Sequence, residues 1–203
     1  MDTLATAAGT AVIAYLLGSL PSAYLIGRLV GGIDVRNAGE GNVGARNVFH
    51  EIGSGWGIAV FALDFGKGAV AALLFRDPTW QALLAGVFLV IGHGYPMWLR
   101  FVGGKGMAAA GGFTAALFPL AALIGGAASG IVWLLTRRFL PTVVTVTVVT
   151  LGSAPLLGTD LEIVGAALAS FAAVAVKRVL DEPRMRRIEA ETGWDRERGG
   201  TRR

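Results

Sequence analysis

The chain has 203 residues, of which 54% are hydrophobic and only 16% are charged, and its mean hydropathy is +0.61. This composition excludes an ordinary soluble protein and predicts an integral membrane protein. The sequence contains no cysteine, which excludes disulfides, thiolate metal sites and a cysteine nucleophile, and its two histidines are too few for a histidine-rich metal cage. We therefore expect no metal site.

Six apolar runs follow one another along the chain. The first lacks a basic leader and a convincing cleavage site, so we expect it to be retained as a helix. The fourth exceeds the length that one helix needs, and Pro119 and the pair Gly125-Gly126 interrupt it, so that two short helices and one kinked helix are both open. The runs lie at about residues 8–27, 55–75, 80–99, 107–136, 140–157 and 161–178.

The positive charges decide between these alternatives, because arginine and lysine accumulate in cytoplasmic loops. The charges of the first and third loops place both loops inside and the N-terminus outside. Only two crossings by the fourth run then bring Arg137, Arg138 and the basic tail inside as well. The sequence therefore predicts an all-α polytopic bundle of about seven transmembrane helices, some of them short, with the C-terminus in the cytoplasm. The loop charges are Arg28, Arg36, Arg46, Arg100 and Lys105.

The domain organisation follows from this pattern. We assign residues 1–180 to one membrane domain and residues 181–203 to a basic cytoplasmic tail. Because acids are mixed with the arginines of the tail, a solvated end beside anionic lipid explains it better than nucleic-acid binding does. These arginines are Arg184, Arg186, Arg187, Arg196, Arg198, Arg202 and Arg203.

Two polar, glycine-rich segments interrupt the apolar pattern, at residues 39–47 and 92–106. Glycine lets backbone N–H groups approach an anion closely, and Arg46, Arg100 and Lys105 add positive charge. The segments therefore predict a binding site for a phosphorylated, lipid-like substrate at the bilayer surface.

Neither segment satisfies a known nucleotide-binding motif. The glycine spacing of the first matches a dinucleotide fingerprint, but the βαβ unit that this motif requires is missing. The second departs from the nucleotide-triphosphate loop at Leu99 and Gly106, which argues against an ATPase. A lysine among glycines at the start of a helix can still bind a single phosphate, and a flexible turn with a membrane-anchoring lysine is the equally open alternative.

Three further polar residues fall inside or beside apolar runs. Asp64 and Lys67 share one helix face, where they should pair with each other or line a polar cavity; a structural ion pair and direct substrate contact are both open. For His93 we favour a positioning role. No acid stands five residues beyond either histidine, and no nucleophile elbow is present.

Several of these segments, in their order and spacing, resemble the bacterial acyl-phosphate:glycerol-3-phosphate acyltransferase family. The resemblance covers roughly the first 110 residues and is compatible with the later hydropathy pattern. The matching residues are 18–28, 32–36, 41–47, 64–68, 92–93 and 101–108.

The resemblance implies a seven-helix enzyme of the bacterial plasma membrane with its active site on the cytoplasmic face. Such an enzyme moves a fatty acyl group from acyl phosphate to the 1-hydroxyl of glycerol 3-phosphate, giving lysophosphatidic acid for phospholipid synthesis, without a cofactor or metal. Its partners would be these two substrates, membrane lipids and a soluble enzyme that forms and supplies acyl phosphate, and nucleic acid would not be among them.

The resemblance also implies roles for individual residues. The phosphates would be bound by Arg46, Asn47, Lys105 and the N–H groups of Gly103 and Gly104. The catalytic centre would comprise Ser19, Asn42 and His93, with Arg36, Asp64 and Lys67 in support. Because an acyl phosphate is already activated, its departing phosphate could accept the hydroxyl proton, and a protein nucleophile is dispensable.

The sequence departs from the family at two single positions and in two segments. The family usually has Ser where Glu40 stands and Thr where Arg46 stands. A serine-bearing turn expected near residues 136–145 has no serine, and the usual C-terminal motif with His and Asn is replaced by residues 177–183. Candidates to replace the lost phosphate ligands are Arg137, Arg138, Lys177 and Arg178.

These departures leave two other functions open. The chain could be a divergent paralogue that has lost this reaction or accepts another phosphorylated alcohol. It could also be a small channel or transporter in which Asp64 and Lys67 relay charge, although the chain shows no convincing internal repeat.

Overall fold

The structure is a computed structural model that describes residues 3–195 and the backbone of residues 200–201. The predicted tail arginines 196, 198, 202 and 203 lie outside the described residues. Within them the chain is mostly helical. Its helices are α1 (Thr3–Ser19), α2 (Ser22–Leu29), α3 (Ala45–Glu51), α4 (Ser54–Phe75), α5 (Thr79–Gly94), α6 (Met107–Leu117), α7 (Pro119–Thr136), α8 (Phe139–Leu156) and α9 (Leu161–Thr192), with a 3-10 turn at Met97–Leu99. Strands β1 (Trp194–Asp195) and β2 (Gly200–Thr201) pair antiparallel.

The predicted division of the fourth apolar run is confirmed, and the alternative of one kinked helix is wrong. α6 ends at Leu117 and α7 begins at Pro119, whose fixed φ and missing N–H suit the first turn of a helix. Among the described residues, six helical segments are long and apolar enough to cross a membrane, and α6 is a shorter apolar helix of 11 residues. The predicted all-α membrane bundle with about seven apolar segments is thus confirmed.

Two predicted boundaries were wrong. The first apolar run was expected to be one helix, but it breaks between α1 and α2 because Pro21 lacks a backbone N–H and disfavours helical geometry at Leu20. The last run was expected to end near residue 178, but α9 continues through Pro183 to Thr192. Met185 and Ile188 are buried there, so tertiary packing stabilises this extension. The predicted start of the tail, residue 181, lies inside α9.

Small residues let the helices approach closely. A Cβ atom on Gly18 of α1 would lie 2.1 Å from the carbonyl oxygen of Leu89 in α5. In the same way, a Cβ on Gly68 of α4 would lie 1.9 Å from the carbonyl oxygen of Ala109 in α6. Such contacts replace the hydrophobic driving force that helices lack in lipid. The largest buried cluster is accordingly rich in alanine around a few larger side chains such as Phe113.

The polar segments meet at one end of the bundle. Arg36 Nη1 donates to the carbonyl oxygen of Leu99 at 3.2 Å, which joins the segment before α3 to the segment before α6. Arg184 Nη1 of α9 donates to the carbonyl oxygen of Gly41 at 3.1 Å. The turn between α7 and α8 reaches the same end through Phe139, whose ring centroid lies 5.3 Å from the guanidinium of Arg46.

Two neighbouring glycines of α6 provide a matched test of this packing. A Cβ on Gly112 would lie 1.9 Å from the carbonyl oxygen of Phe65, whereas a Cβ on Gly111 meets nothing within 4 Å among the described residues. We expect Gly112→Ala to destabilise the protein by about 1–3 kcal/mol, because α4 and α6 must separate. Thermal unfolding in detergent measures this, and Gly111→Ala is the control. Equal melting temperatures for the two variants would contradict the α4–α6 contact.

Candidate functional site

The first glycine-rich segment folds around the side chain of Asn47, which is fully buried. Its amide nitrogen donates to the carbonyl oxygens of Val35 and Ala38 at 2.9 Å and of Asn42 at 3.0 Å. Its side-chain oxygen accepts the backbone N–H of Glu40 at 3.2 Å. Asn47 therefore holds the loop in shape. Its predicted contact with phosphate stays a prediction, because that contact would have to replace one of these hydrogen bonds.

Arg36 connects this loop to the second segment. Its guanidinium forms a bidentate ion pair with Asp34, at 2.9 Å and 2.7 Å, and lies over the ring of Tyr24 at 5.0 Å from the centroid. The hydrogen bonds from Arg36 lower the pKa of the Asp34 carboxyl below its usual value. Together with the bond from Arg36 to the carbonyl of Leu99, this places Arg36 in a supporting position.

A carboxylate lies between the two cations predicted to bind phosphate. Glu40 Oε2 lies 3.0 Å from Arg46 Nη1 and 3.9 Å from Lys105 Nζ. The side chain of Glu40 is 3% exposed, whereas those of Arg46 and Lys105 are 27% and 20% exposed. Arg46, Lys105 and Glu40 thus form a charged triad that spans both glycine-rich segments, with its cations open to solvent and its anion beneath them.

Aromatic rings hold the arginine of this triad. The guanidinium of Arg46 lies 5.3 Å from the ring centroid of Phe139 and 5.8 Å from that of Trp194. His50, on the same helix, packs edge-on against Trp194 at 5.4 Å between ring centroids. Burial, and then the positive charge of Arg46, lower the pKa of the His50 imidazole, which favours its neutral form.

The predicted pairing of Asp64 with Lys67 is present in the structure. Lys67 Nζ lies 2.9 Å from Asp64 Oδ1, and both side chains are almost fully buried. Lys67 Nζ also donates to the carbonyl oxygens of Gly18 at 2.9 Å and Leu20 at 3.1 Å, and the hydroxyl of Ser22 donates to Asp64 Oδ1. The pair therefore secures the break between α1 and α2. The pair is almost fully buried against nearby backbone rather than lining an open path, which argues against the channel alternative. The second carboxylate oxygen, Asp64 Oδ2, is buried without a hydrogen-bond partner among the described residues.

His93 joins this buried pair to the second glycine-rich segment. Its Nδ1 lies 3.9 Å from Asp64 Oδ1. On its other side the chain passes so closely that a Cβ on Gly104 would lie 2.3 Å from His93 Nε2, and a Cβ on Gly103 would lie 2.2 Å from the carbonyl oxygen of His93. Only glycine fits at both positions.

The amides of these glycines are already engaged. Gly103 N donates to the carbonyl oxygen of Gly94 at 3.0 Å, and Gly104 N donates to that of His93 at 3.1 Å. Their predicted contacts with phosphate stay predictions that require an exchange of these hydrogen bonds. Lys105 follows directly, and Gly106, with a φ of +84° that favours glycine, turns the chain into α6. The lysine thus lies beside a helix N-terminus, where anions are stabilised.

The remaining predicted catalytic residues lie close to this centre. Ser19 and His93 line one narrow cleft, together with Ser22, Val43 and Leu99 among others. The Ser19 hydroxyl donates to the carbonyl oxygen of Leu16 at 2.8 Å and accepts the indole N–H of Trp98 at 3.0 Å. Its hydrogen is thus occupied, and its catalytic role stays a prediction.

Asn42 has a different environment. Its side-chain oxygen is buried and has no hydrogen-bond partner among the described residues. An unpaired buried oxygen costs free energy, so it favours the arrival of a hydrogen-bond donor. Asn42 adjoins Val43 of the cleft and is therefore suited to contact a substrate hydroxyl.

Of the four candidates for the lost C-terminal motif, Lys177 is the buried one and packs against the start of the second glycine-rich segment. It pairs with Asp181, lies 4.3 Å from the ring centroid of Tyr95 and packs against Gly94. Arg137, Arg138 and Arg178 are exposed. The structure brings together all the predicted site residues at one end of the bundle, but the predicted substitution of a phosphate ligand by Lys177 is untested.

Sequence reasoning missed three contributors to this region. Ser22 received no predicted role, although the small and polar residues around it mark a break in an apolar helix. Trp98 received none either, and its position next to a polar segment was the available signal. Arg184 was assigned to a solvated tail, because nothing local shows that α9 extends to Gly41.

A sequence profile described as glycerol-3-phosphate acyltransferase matches residues 8–184. Glycerol-3-phosphate acyltransferase 5 of Dehalococcoides mccartyi is 44% identical over 117 residues, which are 56% of this chain and 50% of that relative. This chain thus spans about half the length of the curated relatives it matches.

Solved structures match over a larger share. The crystal structure of PlsY, an integral membrane glycerol 3-phosphate acyltransferase, in its glycerol 3-phosphate form has a TM-score of 0.77 at 32% identity, covering 89% of this chain and 92% of that chain. Its lysophosphatidic acid form has a TM-score of 0.73 at 30% identity, covering 89% of this chain and 91% of that chain.

The buried ion pair can be tested by stability. We expect Asp64→Asn to cost about 3–5 kcal/mol, because it leaves the buried Lys67 ammonium without a counter-ion. The double variant Asp64→Asn, Lys67→Met should cost less than the sum of the two single changes. Thermal unfolding of the two single variants and of the double variant in detergent gives the coupling free energy between the two residues. Glu191→Gln breaks an exposed pair with Arg187 and is the control, with an expected change within about 0.5 kcal/mol. A double variant whose free-energy cost equals the sum of the two single costs would rule out the ion pair between Asp64 and Lys67.

Proposed function

This chain belongs to the glycerol-3-phosphate acyltransferase family, and we propose that it transfers a fatty acyl group from acyl phosphate to the 1-hydroxyl of glycerol 3-phosphate, giving lysophosphatidic acid. One observation carries the proposal beyond the family. The two glycine-rich segments contact each other at one end of the bundle, so that Arg46 and Lys105 open to solvent beside a cleft lined by His93. A phosphate and a reacting hydroxyl can be held together there.

Binding of phosphate is supported by charge and exposure. Arg46 and Lys105 present partly exposed cations, and Lys105 adjoins the N-terminus of α6. A phosphate bound by these groups lies next to the loop that Asn47 holds in shape. This arrangement fits a headgroup that is fixed by its charge beside the cleft, whose volume of about 10 Å³ admits only a water-sized group.

The reaction requires few catalytic groups from the protein, because acyl phosphate is already activated. The acceptor hydroxyl oxygen attacks the carbonyl carbon of acyl phosphate, the carbon–oxygen bond to phosphate breaks, and the departing phosphate takes the hydroxyl proton. The enzyme then has to align the two substrates and stabilise the developing oxyanion. The free side-chain oxygen of Asn42 suits the orientation of the acceptor hydroxyl. His93, held between Asp64 and Gly104, positions the centre.

An apolar rim beside the cleft supports a lipid-like donor. Met97, Trp98 and Phe101 are 44%, 58% and 61% exposed, although they lie in the segment that carries Lys105. Exposed aromatic and apolar side chains next to cations are typical of the membrane interface. An acyl chain can therefore remain in lipid while its phosphate reaches the site, and acyl phosphate formed by a soluble enzyme would be delivered to this rim.

We also propose that the site faces the cytoplasm of a bacterial cell, in its plasma membrane. The end of the bundle that carries Arg36, Arg46, Lys105 and Arg184 is the more cationic one, and α4 carries the chain about 33 Å away from it. The turns after α4 and α8 contain Arg76 as their one basic residue. This asymmetry supports the orientation with the N-terminus outside.

The reaction is tested with purified protein, acyl phosphate and glycerol 3-phosphate. We expect equal amounts of inorganic phosphate and lysophosphatidic acid, measured by phosphate release and mass spectrometry. Lys105→Met should lower kcat/KM for glycerol 3-phosphate by about 100-fold, because a cation at the phosphate is lost. Arg187→Gln removes an equal but exposed charge and should leave kcat/KM for glycerol 3-phosphate unchanged. Product formation that does not depend on Lys105 would remove this assignment, and absence of product would favour a paralogue with another acceptor.

The orientation is tested by cysteine labelling, which the cysteine-free sequence makes simple. A single cysteine at Thr159, between α8 and α9, should react with an impermeant maleimide in intact spheroplasts. A cysteine at Ser54, at the start of α4 near the site, should react only after permeabilisation. The opposite pattern would place the site outside the cell.

A further inference from the structure

The proposed phosphate site contains an anion of its own, the side chain of Glu40. Its carboxylate lies 3.0 Å from Arg46 and 3.9 Å from Lys105, the two cations assigned to the substrate. We infer that Glu40 is a specificity-determining residue, which neutralises one of these two charges and thereby weakens the binding of a doubly charged phosphate. This inference rests on the proposed function of the site.

The backbone at Glu40 cannot move aside easily. Its N–H donates to the side-chain oxygen of Asn47. The next residue, Gly41, has a φ of +67°, its carbonyl accepts from Arg184, and a Cβ there would lie 2.7 Å from Ile188. The loop is thus held by α3 on one side and by α9 on the other. The carboxylate stays within reach of its cations when a phosphate arrives.

Arg46 is equally restrained. Its guanidinium contacts the rings of both Phe139 and Trp194 while it pairs with Glu40. The Arg46 guanidinium therefore binds a ligand from a fixed position and stays close to the Glu40 carboxylate. A phosphate that binds Arg46 and Lys105 must come close to Glu40, and two anions at such a separation repel each other.

The charges of the triad then favour one class of phosphate. Two cations and one carboxylate leave a single net positive charge at the site. A phosphate monoester such as glycerol 3-phosphate carries about −1.5 to −2 at pH 7, and more of it is doubly charged at higher pH. A phosphate with one negative charge matches the triad better. Glu40 therefore sets a weak affinity for the doubly charged acceptor without contributing to the transfer step itself.

The test is the substitution Glu40→Gln, which keeps the size of the side chain and removes its charge. At pH 8 we expect the KM for glycerol 3-phosphate to fall about tenfold, and the inhibition constant of inorganic phosphate to fall in parallel. The kcat should change little. Dimethyl phosphate carries one negative charge, so the substitution should increase its affinity less than it increases that of inorganic phosphate. Glu40→Ser, a smaller uncharged residue, is the second variant and should shift both constants in the same direction.

Two controls separate charge from structure. Glu51→Gln removes a carboxylate at the end of α3 that lies near Gly39, and should leave both constants unchanged. Glu40→Asp keeps the charge and should not tighten phosphate binding. A higher or unchanged KM in both uncharged variants, or loss of folded protein in both, would overturn the inference and make Glu40 a purely structural partner of Arg46.

Failure of the proposed function gives a different result. If the wild-type protein forms no lysophosphatidic acid, stabilisation by inorganic phosphate in thermal unfolding still reports on the triad. In that case Glu40→Gln should increase the stabilisation at a given phosphate concentration, and no increase would overturn the inference on its own.

Discussion

The site depends on how the chain provides hydrogen-bond donors for the backbone carbonyls that the break between α1 and α2 leaves free inside the membrane region. Pro21 ends α1 and frees carbonyl groups that would be costly to leave unpaired in lipid. Lys67 supplies the missing donors, because its ammonium binds the carbonyl oxygens of Gly18 and Leu20. Asp64 then balances the charge of Lys67 and accepts the hydroxyl of Ser22 at the start of α2. One ion pair thus holds α1, α2 and α4 together.

The reactive end of the bundle is built outward from this pair. His93 reaches Asp64 from α5, and the second glycine-rich segment can pack on His93 only because Gly103 and Gly104 have no side chain. This packing places Lys105 over the first segment, beside Glu40. A substitution in the Asp64–Lys67 pair should therefore shift the position of Lys105 at the phosphate site, although no atom of the pair needs to contact a substrate.

Much of this arrangement could be predicted from local sequence. The apolar runs follow from hydropathy, and the pairing of Asp64 with Lys67 follows from helical spacing. The division at Pro119 follows from proline geometry together with the distribution of positive charges. The extension of α9 through Pro183 could not, because it depends on the burial of Ile188 against Gly41, more than a hundred residues away in sequence. The bonds of Trp98 to Ser19 and of Arg184 to Gly41 have the same long-range origin.

The departures from the family at positions 40 and 46 become intelligible once the fold places them together. A carboxylate that is 3% exposed would be costly alone, and an arginine alone would add a positive charge to the phosphate site. As a pair at 3.0 Å they offset each other's desolvation and keep the charge of the loop unchanged. Lys177 and Asp181 form a second ion pair on α9, where a buried cation has its counter-ion one helical turn away. The two ion pairs thus keep the charges at the polar end of the bundle balanced, which allows charged side chains to be buried there.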